Sequence, residues 1–337
     1  MEERFLVTGP CGQDGRILIS KLLGENKMVG AIVRSELESQ FFGKYAPGLQ
    51  TFLGDLNNKS SISRIVEEYE PSVIFHLAAK SSVAESWNEP ELTHKANFET
   101  TRNLLEIIGT PTLKETKFYF SASSEMYGSS SANPQNEDTA MNPASPYAKS
   151  KFAAFKLIKE MRETTDRFLV SGILFNHESP LRDEKFVTRK ISIAVAKIYM
   201  GLQESLTLGD LNVIRDWGWA PDYVDGMLKI ISNSEPKDYI LATGVGQSLE
   251  IFVQKAFALV GISDWENYVK TDQQLYRKSE LIHSRGDASR ARYDLGWKAE
   301  KDLDFIISQM LENDIGLLKK NITEGFWKPV YIEGKSR

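Results

Sequence analysis

The chain has 337 residues, of which 41% are hydrophobic and 26% charged, a balance typical of a globular protein with a sizeable core. Its formal net charge is -5, with lysines and arginines spread along the chain, which argues against nucleic acid as a partner. The single cysteine, Cys11, excludes an internal disulfide and a multi-cysteine zinc site, and we expect no metal.

No apolar run approaches the roughly 18 residues of a membrane span. The first residues also lack the basic segment and long apolar core of a signal peptide. We therefore expect a cytoplasmic protein with no membrane partner.

The first half of the chain alternates short apolar runs with amphipathic stretches. The apolar runs predict strands over 4–8, 28–33, 49–53, 72–79, 117–121 and 168–175. The amphipathic stretches predict helices over 17–23, 61–69, 92–108 and 147–164. Continuous apolar strands separated by helices predict an α/β fold, a Rossmann-type doubly wound parallel sheet.

Beyond residue 175 the pattern is less regular. Helices are predicted over 188–200, 223–232, 249–260 and 303–320. We expect residues 1–175 to form the Rossmann domain and residues 176–337 to form a smaller C-terminal substrate-binding lobe that interleaves with it around one cleft.

A glycine-rich turn follows the first predicted strand and opens the first helix. Residues 8–15 read Thr-Gly-Pro-Cys-Gly-Gln-Asp-Gly, with glycines at i, i+3 and i+6. The glycines permit a tight turn and the close approach of a pyrophosphate, whose charge the helix N-terminus favours. Such a turn alone is a weak signal, but the strand before it and the helix after it favour dinucleotide binding.

The end of the second predicted strand bears on the choice of cofactor. An NAD enzyme usually has an acidic residue about 20 residues beyond the glycines, at the end of this strand. This chain has Arg34 and Ser35 there. A guanidinium pairs with a 2′-phosphate, so Arg34 favours NADP, whereas Glu36 and Glu38 keep NAD possible. The alternative for Arg34 is a solvated surface charge.

Asp55 follows the third predicted strand. Its carboxylate is in a position to accept a hydrogen bond from an adenine amino group, or to cap the next helix.

Tyr147 and Lys151 lie four residues apart at the start of a predicted helix, so the phenol and the ammonium share one face. An adjacent ammonium favours the phenolate, which predicts a lowered phenol pKa and a role as a base. Ser123 and Glu125 follow the fifth strand, at the edge where open α/β sheets bind ligands. The alternatives are an ordinary amphipathic helix start for Tyr147 and Lys151, a turn hydrogen bond for Ser123 and a solvated loop charge for Glu125.

Several motifs occur together over nearly the whole chain. They are Thr-Gly-x-x-Gly-Gln-Asp-Gly at 8–15, Ser-Ser-Glu-Met-Tyr-Gly at 123–128 and Ser-Pro-Tyr-Ala-x-x-Lys at 145–151. More specific runs occupy residues 172–180, 186–192, 215–218 and 276–280. On these motifs the chain resembles the extended short-chain dehydrogenase/reductase family and, within it, the GDP-mannose 4,6-dehydratases.

The resemblance implies a hydro-lyase that converts GDP-mannose into GDP-4-keto-6-deoxymannose by internal hydride transfer from C4 to C6 through bound NADP. Tyr147 would take the proton of the 4-hydroxyl, Lys151 would tune the phenol and hold the cofactor ribose, and Ser123 would hydrogen-bond the same sugar oxygen. Glu125 would remove the C5 proton and protonate the departing 6-hydroxyl. The reaction has no net redox change, so the nicotinamide is recycled.

The resemblance also implies binding residues. The implied cofactor contacts are Gly9, Gly12, Gln13, Asp14, Gly15, Arg34, Asp55, Leu56, Leu77, Ser81, Tyr147, Lys151, His177 and Arg182. The implied contacts with the GDP-sugar are Asn176, Lys190, Arg215, Arg277 and Glu280. The alternatives are a salt bridge between Arg215 and Asp216, a satisfied core histidine at His177, and an ordinary helix pair for Arg277 and Glu280.

The chain departs from the family pattern at several positions. Lys80, Ser82 and Leu92 replace glutamine, histidine and tyrosine near the expected pocket. These changes leave open another GDP-sugar, such as GDP-N-acetylglucosamine or a GDP-heptose. Segment 36–48 is shorter than the family loop that reaches a neighbouring subunit, so both a homodimer and a homotetramer are considered.

Two other functions compete with the dehydratase. An epimerase or reductase of a keto-sugar needs the tyrosine and lysine but has no need of a carboxylate at the position of Glu125. A non-catalytic NADP-binding regulatory protein needs none of Ser123, Glu125, Tyr147 and Lys151. Since all four are present, both functions are less favoured than the dehydratase.

Overall fold

The computed structural model describes residues 3–130, 132–276 and 281–324, with side chains described as far as residue 320. Among them, the strands are β1 (Arg4–Thr8), β2 (Met28–Val33), β3 (Gln50–Leu53), β4 (Val73–His76), β5 (Lys117–Ser123), β6 (Leu169–Leu174), β7 (Asn176–Glu178), β8 (Leu206–Leu208), β9 (Ile214–Trp219), β10 (Tyr239–Leu241), β11 (Gly246–Ser248), β12 (Val269–Thr271) and β13 (His283–Ser284).

The helices in the same residues are α1 (Gln13–Gly24), α2 (Glu36–Tyr45), α3 (Lys59–Tyr69), α4 (Val83–Ser86), α5 (Pro90–His94), α6 (Thr100–Ile108), α7 (Pro146–Thr164), α8 (Val187–Tyr199), α9 (Ala220–Ser232), α10 (Leu249–Leu259), α11 (Ser289–Leu295) and α12 (Leu303–Glu324). A π-helical turn over Lys95–Glu99 joins α5 to α6. Within this described part, no helix has both the length and the apolarity that a bilayer span requires.

Seven parallel strands form the main sheet in the order β10-β6-β5-β4-β1-β2-β3. The order reverses between β1 and β4, which makes the sheet doubly wound and confirms the predicted fold class. Strands β4 and β6 are buried along their whole length, as expected for strands covered by helices on both faces. Helices α1 and α9 contact each other, as do α3 and α6, and right-handed crossovers put the two pairs on opposite faces.

A smaller lobe is built from the later elements. Strand β9 pairs with β7, β11 and β13, and β8 pairs with β12. Helices α8, α10 and α12 pack against one another around a separate apolar core that includes Val195, Phe252 and Leu311. Strand β10, from beyond residue 175, pairs with β6 in the main sheet. The two parts are therefore interleaved along the chain.

Two of the segments that differ from the predicted elements border the glycine turn or the groove beside it. The predicted strand over 72–79 ends at His76, and the chain then turns across the C-terminal end of β1, where the Leu77 amide donates to the Thr8 carbonyl at 3.3 Å. Helix α2 was not predicted. Ser35 caps it by accepting the Glu38 amide at 3.2 Å, and Phe42 is buried beneath it.

A buried ion pair joins α8 to α12 in the smaller lobe. The side chains of Arg189 and Asp314 are 6% and 3% exposed and are bonded to each other, and the Ser192 hydroxyl donates to the same carboxylate at 2.7 Å. Removing one member of such a pair leaves a buried charge without its partner.

We predict that Asp314→Ala lowers the free energy of unfolding by about 3 to 5 kcal/mol, because Arg189 stays buried without a carboxylate. Urea denaturation followed by circular dichroism measures it. The control is Asp304→Asn, also on α12. It removes an exposed ion pair with Lys255 of α10 and should cost less than about 1 kcal/mol. Equal losses in the two variants would contradict the prediction.

Candidate active site

The glycine turn lies at the C-terminal edge of the sheet, where the strand order reverses. Gly9 has φ of 72°, and a Cβ there would approach the Ala78 amide nitrogen to 2.7 Å. A Cβ on Gly15 would lie 2.4 Å from the Gly9 carbonyl oxygen. Because side chains are excluded here, backbone amides and the N-terminus of α1 are left facing the groove, which is the cradle that a pyrophosphate requires.

A groove of about 400 Å³ runs over this turn. It brings together most of the predicted cofactor residues, namely Gly9, Gly12, Gln13, Asp14, Gly15, Arg34, Asp55, Leu56, Leu77, Ser81 and Arg182. The residues present therefore fit a dinucleotide. The other predicted cofactor residues, Tyr147, Lys151 and His177, line an adjoining cavity.

Arg34 and Asp55 lie toward one end of the groove. The Arg34 side chain is 82% exposed, and its guanidinium pairs with Glu38 at 3.0 Å. Asp55 accepts hydrogen bonds from the backbone amide and side chain of Asn57, both at 2.9 Å, and these bonds lower its pKa. The cap of α3 is Asn58, whose side chain accepts the Ser61 amide, so Asp55 does not cap that helix.

The adjoining cavity, of about 200 Å³, contains the predicted catalytic group. Ser123, Glu125, Tyr147 and Lys151 all line it. Leu77, Ser81 and Arg182 are among the residues that line both spaces, so the cavity opens directly beside the groove.

Helix α7 starts where it does because of local sequence. Ser145 accepts the Ala148 amide at 3.1 Å, and Pro146 occupies the first helical turn, where its missing N–H costs nothing. Tyr147 and Lys151 then follow on the face toward β5. Asn97, in the π-helical turn, bonds the Lys80 amide at 2.8 Å and the Ser150 hydroxyl at 3.0 Å. It ties the loop after β4 to this helix.

Tyr147 is only 8% exposed, and burial raises its pKa to about 12. A hydrogen bond with Ser123 acts in the opposite direction. The predicted lowering of the phenol pKa by Lys151 is therefore wrong for this structure. The reason is that the cost of burying a phenolate is the larger effect.

Lys151 is 3% exposed, and its Nζ donates to the Ser121 carbonyl oxygen at 2.8 Å. The same Nζ lies 4.6 Å from the centroid of the Phe120 ring. Burial lowers the pKa of Lys151 to about 7, against the attraction of Asp14, which raises it. This lysine can therefore exchange a proton near neutral pH.

His177 and Asp14 form a buried ion pair. The His177 Nε2 lies 3.0 Å from Asp14 Oδ2, and Nδ1 bonds to the Phe175 carbonyl oxygen at 2.7 Å. Despite burial, Asp14 raises the pKa of His177, and His177 lowers the pKa of Asp14. The ring also stacks on Tyr223 at 4.7 Å between centroids. These contacts match the satisfied core histidine, which was the alternative to a cofactor ligand.

The predicted substrate residues are only partly brought together. Asn176 lines the catalytic cavity. In the described part of the chain, Lys190 and Arg215 line neither space. Lys190 donates to the Thr207 carbonyl at 2.7 Å, and the buried Arg215 donates to the carbonyls of Ile214 and Leu281. Arg277 and Glu280 lie outside the described residues.

The positions that depart from the family pattern have different locations. Lys80 lines the groove and pairs with Glu89, and Ser82 lines the catalytic cavity while capping α4. Leu92 is 54% exposed on α5 and lines neither space.

Sequence reasoning missed several residues that line the catalytic cavity, among them Lys185 and Phe186. The Arg182 guanidinium lies 3.6 Å from the centroid of the Phe186 ring. Phe186 opens a specific motif, which was the available signal. Nothing comparable marked Lys185.

The chain is similar to known proteins over most of its length. The family model described as GDP-mannose 4,6 dehydratase matches residues 6–310. The chain is 38% identical to GDP-mannose 4,6 dehydratase 2 of Arabidopsis thaliana, over 94% of this chain and 87% of that protein. It is 38% identical to GDP-mannose 4,6-dehydratase of Sinorhizobium fredii, over 93% and 97%.

Among solved structures, the chain is similar to RMD from Pseudomonas aeruginosa complexed with NADPH, with a TM-score of 0.79 and 25% identity over 94% of this chain and 98% of that one. UDP-glucose 4-epimerase from Bifidobacterium longum, in complex with NAD+ and UDP, has a TM-score of 0.81 at 21% identity, over 94% and 99%. The second likeness concerns the fold alone.

We predict that His177→Leu lowers the free energy of unfolding by about 3 kcal/mol near pH 6.5, since Asp14 loses its buried partner. Because the pKa of His177 is raised in the folded state, its contribution is present below pH 6.5 and is lost as pH rises through that pKa. In urea denaturation, the difference in the free energy of unfolding between wild type and variant should therefore become smaller as pH rises. His94→Leu, at an exposed histidine, is the control. A gap that widens would contradict the assignment.

Proposed function

The chain belongs to the GDP-mannose 4,6-dehydratase family, and we propose that it removes water from GDP-mannose to give GDP-4-keto-6-deoxymannose. The observation that carries this proposal is the set of Ser123, Glu125, Tyr147 and Lys151 around one cavity beside the dinucleotide groove. A hydro-lyase of this kind needs an acid–base group at C4 and a second one at C5 and C6.

NADP is the cofactor assigned to the groove. The glycine turn and the first turn of α1 would hold the pyrophosphate, Asp55 would face the adenine, and Lys151 would bind the nicotinamide ribose. When bound there, NADP would supply reversible hydride transfer, so that no external reductant would be consumed.

Tyr147 acts at the sugar's 4-hydroxyl. Its phenol oxygen takes the proton of that hydroxyl, and Ser123 hydrogen-bonds the same sugar oxygen. Burial raises the pKa of Tyr147 to about 12, so the resting side chain is a phenol, and it takes the 4-hydroxyl proton only as it gives up its own proton. The neighbouring Lys151, whose pKa burial lowers to about 7, is the group able to pass protons onward near neutral pH.

Glu125 acts at C5 and C6. Once C4 is a ketone, the C5 proton is acidic, and the Glu125 carboxylate removes it. The same group then protonates the departing 6-hydroxyl, which leaves as water. An epimerase or reductase has no such step. The half-buried carboxylate at the cavity wall therefore favours a dehydratase over those reactions.

The identity of the sugar belongs to the proposal as well. Asn176 and Lys185 border the cavity, while Arg215, Lys190, Arg277 and Glu280 are assigned to the nucleotide from the family resemblance. Lys80 and Ser82 keep GDP-N-acetylglucosamine and a GDP-heptose as alternative substrates. We also assign the protein to the cytoplasm as a homodimer or homotetramer, which light scattering would distinguish.

We predict that the purified protein, incubated with GDP-mannose, yields a product one water lighter by mass spectrometry. In deuterated water, C5 should acquire solvent hydrogen and the original C4 hydrogen should appear at C6, with no net consumption of NADPH. A parallel incubation with GDP-N-acetylglucosamine tests the sugar. Water loss from GDP-N-acetylglucosamine alone would identify that sugar as the substrate in place of GDP-mannose. Stoichiometric use of NADPH would indicate a reductase.

We predict that Glu125→Gln binds the GDP-sugar within about twofold of wild type but eliminates water at least about 100-fold more slowly, because an amide cannot exchange the C5 proton. Calorimetry measures binding, and mass spectrometry measures turnover. The matched control is Glu184→Gln, an exposed glutamate close to the cavity that does not line it. Unchanged turnover by Glu125→Gln would remove this residue from the mechanism.

A further inference from the structure

We propose that Glu38 sets the discrimination between NADP and NAD in this chain, by opposing the 2′-phosphate that Arg34 would otherwise bind. The inference rests on the proposed binding of a dinucleotide in the groove. It concerns one carboxylate in the first turn of α2, beside the end of β2.

Glu38 holds Arg34 with both of its carboxylate oxygens. Oε2 accepts the backbone amide of Arg34 at 2.8 Å. Oε1 accepts Nη2 at 3.0 Å and Nε at 3.3 Å from the same residue. The Nε/Nη2 edge of the guanidinium is therefore already occupied, which leaves the Nη1/Nη2 edge for a phosphate, with Glu38 bound to the same group.

The Glu38 carboxylate faces the groove, whereas its neighbour Glu36 does not. Glu38 is among the groove-lining residues, and its side chain is only 19% exposed. Glu36 is exposed and is not among those residues. Cys11, in the glycine turn, also senses the Glu38 carboxylate. Burial and then the charge of Glu38 raise the pKa of the Cys11 thiol to about 11. The carboxylate thus points from α2 toward the glycine turn.

The charges at this end of the groove determine whether a ribose with a 2′-phosphate or one with a free 2′-hydroxyl binds better. Arg34 and Glu38 together contribute no net charge, while a 2′-phosphate carries roughly 1.5 to 2 negative charges at neutral pH. A phosphate that binds Arg34 therefore shares the guanidinium with Glu38, and the two anions repel each other across it. A ribose with free 2′- and 3′-hydroxyls instead finds an acceptor in the carboxylate. Glu38 therefore weakens NADP binding and supports NAD binding.

The test is the dissociation constant of NADP+ and of NAD+, measured by calorimetry at one fixed salt concentration, for wild type, Glu38→Gln and Glu36→Gln. The two variants change net charge equally and lie one helical turn apart or less. We expect Glu38→Gln to tighten NADP+ at least about tenfold and to weaken NAD+ severalfold, because a neutral amide removes the repulsion. Glu36→Gln should change the ratio of the two constants less than about twofold.

A second variant keeps the test decisive should Glu38→Gln fold poorly, which thermal melting would reveal. Arg34→Leu removes the phosphate's partner and frees Glu38, so NADP+ binding should weaken while NAD+ binding stays near that of wild type. Equal ratios in Glu38→Gln and Glu36→Gln, or an Arg34→Leu variant that loses NAD+ and NADP+ alike, would overturn the role of Glu38. Binding of neither nucleotide by wild type would overturn the proposed cofactor as well, so the two failures are distinguishable.

Discussion

The buried contact between α1 and β7 is the interaction on which the arrangement of the site depends. Asp14, in the first turn of α1, pairs with His177 on β7, and Gln13 donates to the His177 carbonyl oxygen at 3.1 Å. Ser179 returns a hydrogen bond to Gln13 at 2.8 Å. A charged pair buried this completely has to keep its partners, so the helix that begins at the glycine turn is held against the strand that opens the second lobe.

This contact explains why the groove and the catalytic cavity meet. The glycine turn lies at the reversal of strand order, and β7, which pairs with β9 of the smaller lobe, begins after a single residue beyond the end of β6. Arg182 follows shortly after β7, pairs with Glu178 at 3.1 Å and borders both spaces. The spaces proposed for the dinucleotide and for the sugar are therefore adjacent.

Burial gives the catalytic pair properties that its spacing did not indicate. Tyr147 and Lys151 share a helical face as predicted, but their pKa values move away from the charged forms, to about 12 and about 7. Desolvation explains both directions, because burial away from water penalises phenolate and ammonium alike. The four-residue spacing on a helix predicts that the two side chains are close. It does not predict how far they are buried from water.

Sequence alone was enough for the parallel sheet, the glycine turn and the grouping of Ser123, Glu125, Tyr147 and Lys151. Apolar period and strand-end position are local signals, and parallel strands bring their carboxyl ends to one edge. The tertiary structure decided that Arg34 pairs with Glu38, that His177 pairs with Asp14 and that Leu92 is 54% exposed. Such pairings depend on side-chain directions and on elements far apart in the chain, as with Asp14 and His177, and no periodicity in the sequence records them.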